Sequence, residues 1–352
     1  MRIGAKNLYV VSAAVTAILV LGVASKSQAD EKLRWKFNVG EKLDYTMVQD
    51  MNMAVSGGPV GQLNTNMHQE MVMTWDVLGV DEATGDAVIK QKFNQIKMKV
   101  ASPIGGFEYD TSSDAAPTGL GARIAPMYKA MTKGDFEITM TSRGEVKDVK
   151  IPEEVLTALK SSPGAAAMGD IATEKGFKEM ISKGALVLPE EAPKKGESWV
   201  TTVALNAQGG GKQTVETKYT YDGTKEVDGV TYAVIKPELK MMIDNPAEGT
   251  EAADAKPQPA PVKATSKIAE QTSDGEVLFN IEKGRLYSTT LQQKVTIDAS
   301  AAGQTMQQKI DQKIDVKVTP AGEKKEEAAK PEADTAKAEA EKKKDTSSEE
   351  KK

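Results

Sequence analysis

From Leu43 to Val55 the odd positions, Leu43, Tyr45, Met47, Gln49, Met51, Met53 and Val55, are mostly apolar, and the even positions are mostly polar. A period of two with one greasy side predicts a half-buried strand. After the turn-rich Ser56-Gly57-Gly58-Pro59 the pattern resumes at Met67, Gln69, Met71, Met73, Trp75 and Val77, so the two stretches are expected to pair antiparallel with their methionines on one face. A hairpin turn over Asp81 to Asp86 then leads into a strand from about Ala87 to Ser102. Its apolar parity changes from Ile89 and Phe93 to Ile96, Met98 and Val100, which predicts a β-bulge and a bent sheet.

The middle of the chain changes period. Leu120, Ile124, Met127 and Met131 recur at three to four, the spacing of an amphipathic helix, with Pro126 expected to leave it short or broken. Phe136, Ile138 and Met140 alternate into a hairpin at Arg143-Gly144, and Pro152 starts a short helix carrying Val155, Leu156 and Leu159. Ser161 to Met168 reads as a loop of small residues, and Glu174 to Lys183 as one more helix. Strands follow at about Ser198 to Ala207, Gln213 to Asp222 and Val230 to Asp244, with Asp222-Gly223 and Asp228-Gly229 as turns. After a Pro- and Ala-rich insertion, Val277, Phe279 and Ile281 meet a turn at Lys283-Gly284 that opens a strand with Tyr287, Leu291, Val295 and Ile297 on one side. Beyond Ala302-Gly303, Met306, Gln308, Ile310, Gln312, Ile314, Val316 and Val318 alternate with charged or amide side chains. Such alternation requires a sheet with one face wet and one face covered.

Gly40-Glu41-Lys42-Leu43-Asp44-Tyr45 returns in outline as Gly196-Glu197-Ser198-Trp199-Val200-Thr201, each time with a Gly-Glu turn ahead of an alternating strand. The predicted fold is therefore mainly β (α+β): a large curved antiparallel sheet or incomplete barrel built from two duplicated halves, with a few short helices in the middle of the chain. The halves are placed at 30–160 and 195–320, joined by a helical and loop connection at 161–194, with a flexible insertion at 245–262.

Composition then fixes the setting. Arg2 and Lys6 precede an apolar run from Leu8 to Ala24, and Ser27-Gln28-Ala29 supplies small residues one and three before a cut, so residues 1–29 read as a secretory signal peptide. The expectation is an extracytoplasmic protein, periplasmic or secreted, cleaved near Ala29 and without a transmembrane span in its mature form. Residues 321–352 are Lys, Glu and Ala with little that enters a core, which predicts a disordered tail. The chain has no cysteine and one histidine, His68, which excludes disulfides, cysteine nucleophiles and thiolate or multi-histidine metal sites. Acids and bases are interspersed at a net charge of −5, with no basic stripe for nucleic acid.

The distinctive chemistry is methionine. Met47, Met51 and Met53 on one predicted strand and Met67, Met71 and Met73 on the next are the candidate ligand-binding residues. Thioethers spaced by two point the same way and suit Cu(I), yet flexible methionine equally fills irregular cores or adaptable apolar surfaces. His68 has the opposite parity from these methionines, which argues against a mixed site, so no metal and no cofactor are assigned. No nucleophile elbow or phosphate-binding glycine motif is present, and the carboxylate pairs Glu153-Glu154 and Glu190-Glu191 sit beside prolines, where capping and solubility explain them. Trp35, Trp75 and Trp199 lie within apolar alternation and read as core.

The segment Leu33-Arg34-Trp35-Lys36-Phe37 with Gly40-Glu41-Lys42-Leu43-Asp44-Tyr45, the later Pro189-Glu190-Glu191 before Lys195-Gly196-Glu197-Ser198-Trp199, and Gly284-Arg285-Leu286 resemble a family of exported β-rich proteins of unknown function common in planctomycete-type bacteria. That resemblance implies export and a β-rich body and brings no activity. A looser similarity to periplasmic lipoprotein carriers implies a curved sheet wrapping helices around an apolar cavity. The expected function is non-catalytic binding in the cell envelope, of an apolar molecule such as a lipid or lipoprotein moiety. The alternative is a structural or protein-interaction module that docks an envelope protein through its charged tail, and a carboxylate-based hydrolase stands third.

Overall fold

The alternating stretches all form strands. The computed structural model describes residues 32–57, 61–103, 105–115, 117–161, 173–206, 212–245, 264–301 and 304–322. The expected signal peptide, the loop of small residues after Ser161, nearly all of the insertion and all but the first two residues of the tail lie outside the described residues. In chain order the elements are β1 (Lys42–Gly57), β2 (Gln62–Val80), β3 (Ala87–Ala101), β4 (Phe107–Asp110), α1 (Gly119–Lys133), β5 (Asp135–Met140), β6 (Val146–Lys150), α2 (Glu153–Ser161) and α3 (Glu174–Gly184). They continue with β7 (Ser198–Asn206), β8 (Lys212–Val227), β9 (Val230–Asp244), β10 (Ala264–Asn280), β11 (Arg285–Ala301) and β12 (Gln304–Pro320). All twelve strands belong to one antiparallel sheet in the order β6-β5-β3-β2-β1-β12-β11-β10-β9-β8-β7, with β4 paired to β3.

The repeated Gly-Glu turns are superimposable in their hydrogen bonds. Gly40 donates to Val77 O at 2.8 Å and Gly196 to Tyr221 O at 2.7 Å, while the amides of Val77 and Tyr221 return to Glu41 O and Glu197 O at 3.0 and 2.9 Å. Both glycines hold a positive φ, +83° and +90°, which a residue without Cβ adopts at little cost. Each turn is followed on the partner strand by a register shift, at Val77/Gly79 in β2 and at Tyr221/Gly223 in β8. Ile89 and Ile235 then occupy equivalent places opposite Val77 and Tyr221, and both are fully buried.

The sheet curls because these two halves share one core. Val77, Ala87, Ile89, Ile138, Met140 and Val149 from the first half pack with Tyr221, Ala233, Ile235, Val277 and Phe279 from the second. Fully burying a side chain such as Phe279 contributes ~1.5–3 kcal/mol. Trp35 sits between the halves, edge-on to Phe279 at 5.4 Å and beside Trp75 at 6.2 Å. Its amide donates to Ser142 O and that of Lys36 to Gly284 O, both at 2.8 Å, so the segment before β1 ties the β5–β6 hairpin to the β10–β11 turn. The terminal strands β6 and β7 both pack against α3, which bridges the opening of the incomplete barrel. A second core of Phe93, Ile96, Ala130, Phe136, Val155, Leu159 and Phe177 joins the helices to β3 and β5.

The bulge read from the parity of β3 lies at Asn94, where Val72 faces Gln95 and Met73 faces Phe93. Four features differ from the sequence reading. β4 is a four-residue strand that no periodicity marked. α1 runs unbroken through Pro126. Proline removes one helical hydrogen bond, but Ala125 and Ala130 are buried and Met127, Tyr128 and Met131 pack on the second core, so tertiary contacts hold the helix together. Asp222-Gly223 is not a turn: β8 continues to Val227, and Gly223, at φ +95°, forms a bulge within it. The reversal is the two-residue Asp228-Gly229 turn, with φ of 52° and 76° between the paired Val227 and Val230. Finally, the apolar face of β12 is covered only near its end: Val318 is buried, whereas Ile310, Ile314 and Val316 are half-exposed.

Candidate functional site

Strand register assigns every side chain of the long strands to one face or the other. Across β3, β2, β1, β12, β11 and β10 one inward row reads Ile96, Met71, Met47, Val316, Thr289 and Val277. The next reads Met98, Gln69, Gln49, Ile314, Leu291 and Gly275, and a third reads Val100, Met67, Met51, Gln312, Gln293 and Ser273. None of these positions is ionisable. At ~4.8 Å between strands and ~6.8 Å between rows, the three rows span on the order of 500 Å² of sheet, within which Ile96, Met98, Val277, Gln69 and Gln293 are buried. The inward positions of the second half continue it through Trp199, Thr201 and Val203 of β7, Val215, Thr217 and Tyr219 of β8, and Leu239 and Met241 of β9. The other face of these strands carries charge, Lys294 pairing with Asp311 at 2.9 Å and Lys313 with Asp315 at 2.8 Å.

The six methionines lie on this face, all half-buried, but they do not form one cluster. Met47 stands directly opposite Met71, and Met51 opposite Met67; Met53 faces Thr65 and Ile310. Met71 and Met73 pack on the helical core, and Met73 also reaches the cluster of Leu43, Tyr45 and Val318. Met47, Met51, Met53 and Met67 join none of the buried clusters, so the helices cover one end of the face and leave the other open.

A line of amides crosses the open end. Gln49 Nε2 donates to Gln312 Oε1 at 3.4 Å, Gln312 Nε2 donates to Gln293 Oε1 at 2.7 Å, and Gln308 Nε2 donates to the Met53 sulfur at 2.9 Å. Gln69 and Gln293 are buried, and Gln293 Nε2 is shielded from solvent without a hydrogen-bond partner. The neighbouring strand explains the shielding. β10 and β9 pair through their backbones only over Val277–Asn280, beyond which they part. The inward side chains of Ser273 and Gln271 fill the gap, Ser273 Oγ accepting from Leu239 N at 3.0 Å and Gln271 bonding both Met241 N and O at 2.7 and 3.1 Å. Because it is inward side chains that reach β9, this half of the sheet folds toward the interior, over Gln293 and Val295. Pro237 lies on Gly275 at the same place, where an added Cβ would come within 2.7 Å of the proline ring. The glutamines were visible in the sequence as polar residues at apolar parity; the fold at β9 had no local signal.

At the closed end Arg285 pairs with Glu41 at 2.5 Å. Tyr45, packed on Trp75 at 4.5 Å, has a buried hydroxyl without a partner, and burial pushes its pKa far up. On the outer face His68 lies between Asp50, 2.7 Å from Nδ1, and Glu70, 3.4 Å from Nε2. The Asp50 hydrogen bond raises the His68 pKa. For Glu70, partial burial works upward, but the bonds from His68 and Lys97 win and hold the carboxyl low. Glu276 is likewise held low, by Lys236 and Lys225. Glu191 is held low by Lys32, and Asp81 by the amides of Thr84 and Ala83. Asp81 closes its hairpin turn by accepting from Ala83 N and Thr84 N, both at 2.9 Å, so that acidic stretch is a turn. Among the described residues no three His, Asp or Glu side chains gather to hold a metal ion.

Three clefts lie among the described residues. One of 710 Å³ between β6, α2 and α3 is lined by Lys147, Lys160, Lys175 and Lys183 with Glu174 and Glu179. One of 690 Å³ sits at the tips of β1, β10, β11 and β12, and one of 600 Å³ is lined by Asn52, Asn66 and Lys294 together with Met53, Val295 and Ile310. Met53 and Ile310 of the methionine face thus border the third of these clefts.

No curated protein matches the chain. One structure, titled for lipid–protein interactions in lipovitellin, is similar at 12% identity and a TM-score of 0.43, over 82% of this chain and 26% of that one. The chain therefore spans about a quarter of that relative's length. An outer membrane channel from Pseudomonas putida F1 is similar at 8% identity and a TM-score of 0.25, over 81% of this chain and 97% of that one. Such scores leave both outside the functional argument. Residues 84–284 match a family model, a stretch running from the β2–β3 turn to the β10–β11 turn and therefore through both halves of the sheet. With more than half of its length matched, the chain belongs to the family of unknown function DUF6263.

Proposed function

We propose that the protein acts outside the cytoplasm as a non-catalytic binder of an apolar molecule, held against the inner face of its incomplete barrel. One observation carries this reading. Inward positions from β3 through β9 are uncharged, while the same strands place their ion pairs outside. A sheet face with nothing to bury has no reason to exclude charge, since a solvated face accommodates it freely. Methionine suits such a surface because its unbranched thioether adapts to irregular apolar partners. The basic n-region and apolar run at the start of the sequence support export, which would set the protein among envelope lipids or lipid-modified proteins.

The test is mass spectrometry of organic extracts of the protein purified from its native source without detergent. A co-purifying apolar compound near one per chain is the expected result. An empty extract, together with no binding of the neutral fluorophore N-phenyl-1-naphthylamine, would remove the ligand reading and leave a structural or protein-docking role in its place.

A further inference from the structure

We propose that Met51, Met53 and Met67 form a binding site for the soft monovalent cation Cu(I). The three thioethers adjoin on the inner face. Met51 stands directly opposite Met67 in the β1–β2 register, and Met53, which faces Thr65, is two residues further along β1 and diagonal to Met67. Directly opposed Cβ atoms on an antiparallel pair lie ~4.5–5.5 Å apart and diagonal neighbours ~7–8 Å. Unbranched side chains with three rotatable bonds close such spans around one ion. All three are partly exposed, so a dissolved ion reaches them. None is taken up by a buried cluster. The Met53 sulfur already turns to a polar neighbour, accepting from Gln308 Nε2 at 2.9 Å, so its lone pairs are not packed away among hydrocarbon.

Residue choice along this face separates a sulfur site from a merely apolar one. β11 and β12 line the same face with Leu291, Val295, Ile297, Ile310, Ile314 and Val316, mostly the β-branched chains that suit a pleated, half-buried surface. β1 and β2 carry methionine instead, and neither contains an isoleucine. Apolar area alone gives no reason for that division, whereas thioethers select Cu(I). The two rows that hold the three methionines contain no ionisable side chain. A divalent ion would keep two charges there with no carboxylate to meet them, while Cu(I) leaves one at a face open to water. Cu(II) and Zn(II) are suited by imidazole, and the single histidine, His68, lies on the opposite face between Asp50 and Glu70. The ion is bound and released in one oxidation state, and the site needs no apolar ligand beside it.

The experiment follows the methionine methyl groups of the full-length protein, labelled with ¹³C, by NMR. Cu(I) is added as its acetonitrile complex under nitrogen, and Ag(I) serves as an air-stable surrogate in chloride-free buffer. One equivalent of either ion should shift the methyls of Met51, Met53 and Met67, assigned by replacing each with leucine, and then saturate. Met140, at 1% exposure, should stay in place, and Zn(II) should move none of them. Met51→Leu, Met53→Leu and Met67→Leu each conserve volume. Each should weaken binding by at least the roughly tenfold that removing even an outer-shell partner costs a metal site. Met47→Leu, further along β1, should leave it within about twofold. Shifts that spread over every exposed methionine without saturating would overturn the site, as would wild-type affinity in a variant with all three replaced by leucine. An equal response to Zn(II) would overturn the soft-ion class. Binding of N-phenyl-1-naphthylamine is read separately, so failure of the metal site leaves the proposed function standing, and failure of the dye assay leaves the metal site standing.

Discussion

Replacing Gly144 with alanine tests whether the segment before β1 is the clamp that holds the two halves together. Gly144 has φ +93°, and an added Cβ would lie 2.2 Å from Leu186 O and 2.6 Å from Trp35 Nε1, which are themselves hydrogen-bonded at 3.3 Å. The left-handed backbone alone costs an alanine ~1–2 kcal/mol. Forcing packed neighbours apart adds ~1–3 kcal/mol, and loss of the indole bond adds ~1 kcal/mol. The expected destabilisation is about 4.5 kcal/mol, using the middle of those ranges. Gly40 and Gly196 provide the controls, since they have the same sign of φ but nothing within 4 Å of an added Cβ. Alanine there should cost only the backbone share, ~1–2 kcal/mol, and similarly at both because their turns bond alike. Urea unfolding followed by tryptophan fluorescence reads all three variants, because Trp35, Trp75 and Trp199 lie in or against the shared core. A Gly144→Ala midpoint equal to that of Gly40→Ala would refute the clamp.

Further expectations concern parity, the second core and the lone histidine. Met51→Asp should sharply reduce binding of N-phenyl-1-naphthylamine, while Asn52→Asp, one residue along on the charged face, should leave it within about twofold; equal losses would sink the assignment of faces. Phe136→Ala, at a fully buried site in the helical core, should destabilise by ~3–5 kcal/mol in the same urea assay, and a cost under ~1 kcal/mol would show that the helices do not depend on it. The His68 ring, followed by proton NMR as the chain's single histidine, should titrate above 6.5, and Asp50→Asn should bring it back toward that value. Its folded-state pKa is raised, so its contribution to stability is complete below 6.5 and fades as pH rises through the folded-state value. A ring titrating below 6.5 in wild type would contradict the Asp50 contact.

Much of this architecture was legible because a two-residue period is a local signal. Alternation alone placed β1, β9 and β12 to within a few residues, and the parity change in β3 located its bulge near Asn94. Gly-Glu repetition pointed to two halves whose turns prove to bond identically. Asp222-Gly223 misled because a bulge and a turn need the same thing, a residue comfortable at positive φ, and composition does not separate them. Pro126 misled because its cost is local while its compensation is tertiary. The methionine face was visible as a stripe, but its division was not: whether Met73 joins a core and Met53 does not depends on where α1 and α2 come to rest. Gln293 was the least legible of all, since nothing near it in sequence says that β9 folds over it.

Because β1 lies beside β12 in the middle of the sheet, the central ladder joins residues such as Leu43 and Pro320, roughly 250 residues or more apart along its length. Closing so long a loop comes late, after the local hairpins β2–β3, β8–β9 and β10–β11 have formed. Until then each half carries a bare inner edge, β1 on one side and β12 or β11 on the other, long and well suited to pairing with the wrong neighbour. Folding should accordingly be slow and sensitive to concentration, with dimers that exchange the central strands as the characteristic misfolded product. A cell making this chain would have to keep those edges apart until the last strand arrives.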